Sequence, residues 1–290
     1  MKKGNWFWIL VIVLSVAVFL GYRSLDAMRT DAKAPEIEMT ADTMEISVED
    51  PKSALLQGIT AIDKRDGDVT DSLVVENITM LDSVGTVNVS YAAFDAAGNV
   101  ARAERKAVYK DYVSPRFTLE NPLVYVQGSN FDVLSNIGAT DVFDGDIQHR
   151  VRATAMGEDA ITVTGTHVVQ FQVTNSLGDT QTKNFPVEVM AGDPYNADLE
   201  LTDYIVYLSA GAPFNPAAYL GTFSYLKSTV ELNGVVPAGF DLETKGQVQT
   251  QSPGTYTVAY TLTYTEMNVN NPANSKEYTA YSKLIVVVEG

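Results

Sequence analysis

The chain has 290 residues, 46% of them hydrophobic, with a formal net charge of -16 and no cysteine. That length and apolar content support two or three separate cores and exclude a disordered chain. The acidic balance repels a phosphate backbone and excludes nucleic acid as a partner; the lack of cysteine removes disulfides, thiolate metal sites and thiol nucleophiles, and leaves the redox compartment open.

The first predicted element is a helix that crosses a membrane. After a tail at residues 1–4 containing Lys2 and Lys3, no charge appears until Arg23. At about 1.5 Å per residue such a run matches a hydrocarbon core of roughly 30 Å. Trp6 and Trp8 at one end and Tyr22 at the other suit the two water interfaces. No small-x-small pair follows the apolar end closely, so the reading is an uncleaved signal anchor at 5–22 followed by a linker at 23–33, with a cleaved signal peptide as the alternative. Basic residues on the two flanks nearly balance, and the acidic bulk of the chain favours an outside location for everything beyond the helix. The lipid bilayer is therefore the first expected partner.

Beyond residue 30 the texture is all-β: short alternating runs rich in Val, Thr, Tyr and Ile, broken by Gly, Pro, Asn and Asp. The runs beginning at Thr86, His167 and Thr255 alternate as strands with one face on a core should. Internal repetition divides them. Asp31 to Pro35 matches Asp111 to Pro115, and GTVNVSYAAFDAAGN from Gly85 matches GTHVVQFQVTNSLGD from Gly165, both 80 positions apart (31 to 111, 85 to 165). A third copy keeps the strand from Gly254 and loses the acidic loop, with Thr222 to Tyr225 in its place. Domains are expected at 34–111, 112–191 and 195–290. Short linkers between them predict an extended rod.

Two acidic loops stand out. Asp63, Asp66, Asp68 and Asp71 fall in one loop of the first repeat, and Asp141, Asp144 and Asp146 in the matching loop of the second, where His149 takes the place of Asp71. Calcium takes six to eight oxygens, mostly from carboxylates and carbonyls, and these residues supply several. A turn explains the same residues, because Gly67 and Gly145 permit positive φ and neighbouring Asp side chains accept hydrogen bonds from loop amides. Both readings stand, with calcium the only cofactor in view and its spacing unlike an EF-hand. Asp95 to Asn99 reads as a structural hairpin, and Tyr91, Phe171 and Tyr260, at one place in each repeat, read as core.

The order of Pro35, Gly58, Asp63, DGDVT from Asp66, GTVNVSYAAFDAAGN from Gly85 and a closing strand near Lys110 resembles bacterial immunoglobulin-like domains, the type repeated in surface proteins and present as a module of pesticidal crystal proteins. The second repeat resembles them in its ATDVFDGD loop and GT strand, and the third in outline. The resemblance implies three tandem seven-strand-like β-sandwiches. It implies no ligand, because fold analogy does not give function.

Nothing in the chain points to catalysis. The two histidines, His149 and His167, are not accompanied by a nucleophile, metalloprotease, P-loop or dinucleotide motif. The expectation is a non-enzymatic, membrane-anchored surface protein whose extracellular Ig-like domains space and bind a protein or glycan, with the third domain, farthest from the anchor and most diverged, the foremost contact surface; its many tyrosines fit an ordinary β core before an interface. A structural subunit of a surface filament or envelope assembly is the alternative.

Overall fold

The computed structural model describes residues 4–29, 31–155, 162–268 and 274–290; Lys2 and Lys3 of the expected tail and Thr30 of the expected linker lie outside them. Helix α1 spans Gly4–Arg29. It therefore continues through most of the stretch expected as linker. Arg23 to Arg29 contains neither Gly nor Pro, so once the apolar segment has nucleated the helix, each added residue gains a hydrogen bond at little cost. The chain divides into two compact units, residues 1–112 and 113–290.

In the first unit, β1 (Glu36–Met39), β3 (Ile59–Asp63) and β4 (Gly67–Asp68) form one sheet, and β2 (Thr43–Ile46), β7 (Val100–Tyr109), β6 (Thr86–Phe94) and β5 (Val74–Met80) form the other. The alternation read at residue 86 is real: Val87, Val89 and Tyr91 are buried on one face. The first strand is split, with β1 antiparallel to β3 and β2 parallel to β7. The Tyr91 hydroxyl donates to the Leu55 carbonyl at 2.9 Å, and buried Arg105 reaches the Leu55 and Gln57 carbonyls, so the core is closed by polar bonds to a 3-10 turn.

The second unit holds two more sets of seven strands with the same connectivity. In one, β8 (Arg116–Leu119), β10 (Ile137–Asp141) and β11 (Gly145–Asp146) face β9 (Val124–Val126), β12 (Arg152–Ala155), β13 (Gly165–Thr174) and β14 (Thr180–Met190). In the other, β15 (Ala197–Leu201), β17 (Leu220–Tyr225) and β18 (Ser228–Glu231) face β16 (Ile205–Ser209), β19 (Phe240–Lys245), β20 (Gly254–Glu266) and β21 (Lys276–Glu289). Phe171 and Tyr260 are fully buried at equivalent places. The fold is thus three tandem Ig-like β-sandwiches behind one N-terminal apolar helix.

The second and third sandwiches do not meet end to end. Strand β21 is buried on both faces: Leu284, Val286 and Val288 enter the third core, while Ile285 and Val287 pack into the second. Arg116, at the start of the second sandwich, pairs with Glu289, at the end of the third. Lys283 and Tyr281 bond Glu188 at the other end of the contact. The two sandwiches lie side by side, and the expected rod does not hold for this pair. The cause is the second apolar face of β21, which water does not tolerate.

Candidate functional site

Both acidic loops fold first as turns. In the first sandwich, Asp63 is 3% exposed and its Oδ1 accepts the amides of Arg65 and Asp66 at 2.6 and 2.9 Å. Asp68 Oδ1 accepts the Thr70 amide at 2.9 Å, and the Thr70 hydroxyl and amide hold the Asp68 carboxyl below its ordinary value. Gly67, at φ 79°, makes the reversal that pairs Ile62 with Asp68. Asp71 sits exposed in a 3-10 turn. The second sandwich repeats this with Asp141 accepting from Phe143 and Asp144, Asp146 from Gln148, and Gly145 at φ 69°.

The loops differ in what neutralises them. In the second sandwich, Arg150 places Nη1 2.7 Å from Asp144 Oδ2, and Asn175 donates to Asp141 Oδ2 at 3.0 Å. Burial pushes the Asp144 carboxyl up, but the Ser176 hydroxyl and amide and the Arg150 guanidinium outweigh it and hold the group below its ordinary value. The positive charge is built in.

In the first sandwich the position of Arg150 is held by Ser72, which accepts the Phe94 amide instead. Asp63 and Asp66 are joined there by Asp31, and each of the three offers a carboxylate oxygen within 4.8 Å of the others. Among the described residues none of the three is in an ion pair. Asp66 Oδ2 accepts the Ala96 amide at 2.9 Å, whereas Asp31 Oδ2 is buried with no hydrogen-bond partner. Asn99 holds the segment in place by donating to the Asp31 carbonyl at 3.2 Å. Two oxygens bound to one calcium are separated by at most about 5 Å, twice the usual metal–oxygen distance. The three carboxylates fall within that limit.

Of the seven predicted residues, the structure therefore brings together Asp63 and Asp66. Asp68 and Asp71 fall outside that group, and Asp141, Asp144 and Asp146 form no comparable group among the described residues. Asp31 was missed. It was legible as the repeat partner of Asp111, but Asp111 serves a different end, accepting from Ser47 and Val48. The Asp95 hairpin is structural, as read: Asp95 accepts the Asn99 amide and side chain at 2.8 and 2.6 Å, and Gly98 takes φ 86°.

The tyrosines of the third sandwich divide between core and junction. Tyr260 and Tyr278 are buried, and Tyr204, Tyr219, Tyr225, Tyr256 and Tyr264 pack against the same cluster. Tyr207 and Tyr281 turn toward the second sandwich instead, the first bonding Phe117 and the second Glu188.

No known family model and no curated protein matches the chain. Among solved structures, the second CBM51 and INT domains of Clostridium perfringens ZmpB, crystallised with GlcNAc, are similar over 87% of this chain and 44% of that one, at 11% identity and TM-score 0.22. The protocadherin gammaB4 extracellular domain matches 89% of this chain and 50% of its own, at 10% identity and TM-score 0.18. Drosophila N-cadherin EC1-4 matches 89% and 67%, at 12% identity and TM-score 0.21. The chain spans about half or less of the first two. Likeness at these scores does not bear on function, and the sandwich assignment rests on the strands and cores described above.

Proposed function

We propose that this is a non-catalytic, membrane-anchored protein of a bacterial cell surface, whose three Ig-like sandwiches stand outside the membrane and space and bind a protein or glycan. The observation that carries the reading is α1: from Trp6 to Arg23 it is long and apolar enough to cross a membrane, and none of that span is buried. Trp6, Ile12 and Val18 are each more than half exposed, on different sides of the helix. Such a surface is costly in water and favourable in lipid. The bacterial setting follows the resemblance of the loops and GT strands. The test is proteolysis of intact cells: loss of the sandwiches with retention of an alkali-resistant membrane fragment is expected, and full protection of the sandwiches overturns the topology.

A specific observation also favours a bound cation. The buried, unpartnered Asp31 Oδ2 lies beside Asp63 and Asp66 where the second sandwich uses Arg150. Calcium held by these three carboxylates ties the segment that follows α1 to the first sandwich, making the ion a structural clip rather than a reagent.

A further inference from the structure

The side-by-side packing of the second and third sandwiches leaves a trough between them. Strands β8 and β15 are both edge strands, each hydrogen-bonded to another strand on one side only. The trough has two stretches of about 530 and 380 Å³ that meet at Glu200, with residues of the β8–β9 segment on one wall and of the β15–β16 segment on the other. Glu120, Asp193, Asp198, Glu200 and Asp203 line it, and among the described residues none of them is in an ion pair. The one basic residue on its walls, Arg116, is held by Glu289 and lies 4.9 Å over the Tyr207 ring.

We propose that this trough docks an extended, lysine- or arginine-rich segment of a partner protein. The inference rests on the reading of the chain as a binding module and deepens it by naming the class of ligand. An unpaired strand edge offers main-chain donors and acceptors to an added strand. On β8 that edge is capped, because the Phe117 amide donates to the Tyr207 hydroxyl at 2.7 Å and the hydroxyl donates back to the Phe117 carbonyl at 3.3 Å. The receiving edge is therefore β15 upstream of Leu201, whose amide the Tyr204 hydroxyl takes up. Asp198 and Glu200 lie two residues apart on β15, on the face opposite buried Leu199 and Leu201. An extended peptide with a base at every second position repeats at that same spacing. Charge complementarity then fixes the register, and the main-chain ladder supplies sequence-independent affinity.

The test uses the full chain in neutral detergent at about physiological salt, with fluorescence anisotropy of a labelled decapeptide alternating Lys and Val. Saturable binding is expected. A decapeptide alternating Lys and Pro carries the same charge but lacks half the amide donors, and should bind at least about tenfold more weakly. The double variant D198N/E200Q should weaken the Lys-Val peptide by at least about tenfold. The pair E36Q/E38Q, with the same spacing on edge strand β1 of the first sandwich, should leave it unchanged. Equal binding of the two peptides, or equal loss in both double variants, shows attraction to net charge alone and overturns the trough, as does no binding. Displacement of the Lys-Val peptide by a neutral chitooligosaccharide also overturns it, in favour of a glycan site. If cell-surface proteolysis succeeds while peptide binding fails, the trough falls and the surface reading stands. The Lys-Pro comparison needs no variant, so misfolding cannot obscure the result.

Discussion

Lys283 lies 3.0 Å from Glu188 across the junction of the second and third sandwiches, 7% exposed, and the Tyr281 hydroxyl donates to the same carboxylate oxygen at 2.9 Å. A buried ammonium without its partner is strongly unfavourable, whereas replacing both charges by apolar groups is often neutral. Glu188→Ala is therefore expected to destabilise residues 113–290 by about 2–3 kcal/mol, a value below the fully buried case because Glu188 retains some solvent exposure. Lys283→Met combined with Glu188→Leu should recover most of that loss. Urea unfolding followed by far-ultraviolet circular dichroism checks both, and a double variant no better than the single one would refute the buried-charge account.

How much of this was readable beforehand depends on range. The repeat spacing located the equivalent strands, and the Asp-Gly pairs located the β3–β4 and β10–β11 reversals, because each is decided within a few residues by backbone sterics. The side-by-side packing depends on what β21 touches far away in sequence. Its signal was present: Leu284 to Val288 is an unbroken apolar run, which a strand with one wet face does not have. Asp31 escaped for the opposite reason, since it lies outside every strand and gains meaning only when folding brings it to Asp63 and Asp66. Arg105 gave no warning either, because an arginine in an alternating strand reads as solvent-facing until its donors find the Leu55 and Gln57 carbonyls.

Calcium binding to the first sandwich makes its stability depend on the ion. With an affinity typical of extracellular modules, about 5 mM calcium should add about 1–2 kcal/mol and raise the melting temperature by a few degrees. Asp31→Asn should abolish the shift while leaving the loop intact, because Asp31 makes none of the turn's own bonds. Arg150→Gln in the second sandwich should not change it. A shift that survives Asp31→Asn, or no shift at all, leaves these carboxylates as turn residues only.

Acid sensitivity of the first sandwich follows from Asp111. The Ser47 hydroxyl, at 2.6 Å, and then the Val48 amide, at 2.9 Å, hold its carboxyl below the ordinary value. A depressed folded-state value contributes stability above the unfolded value near about 3.9 and loses it as pH falls through the folded one. Stability should therefore decline as pH drops below about 4, and decline less steeply in Asp111→Asn. Parallel slopes for the two proteins between about pH 4 and 2 would show that Asp111 does not contribute to the linkage.

Tyr91 and Phe171 occupy the same place in the first two sandwiches, as do Arg105 and Phe185, and the pairs show two ways to close one core. In the second sandwich the solution is apolar: Phe185 stacks on Phe171 at 5.8 Å and meets Phe117 edge-on at 5.4 Å. In the first, Arg105 Nη2 lies 3.2 Å from the Tyr91 hydroxyl, which donates to Leu55, while Arg105 Nε is buried without a partner. Tyr91→Phe removes an acceptor from a buried guanidinium and a donor from a buried carbonyl, and should cost about 1–3 kcal/mol. Arg105→Leu should cost a similar amount, because the Gln57 carbonyl loses its donor and the Leu55 carbonyl keeps only the Tyr91 hydroxyl. Because Arg105 also donates to the Tyr91 hydroxyl, each single variant already breaks that bond, and the double variant should be less destabilised than the sum of the singles, with a coupling of about 1 kcal/mol. Strict additivity in urea unfolding of the four proteins would mean that the hydroxyl and guanidinium act independently, contrary to the bonded network seen here.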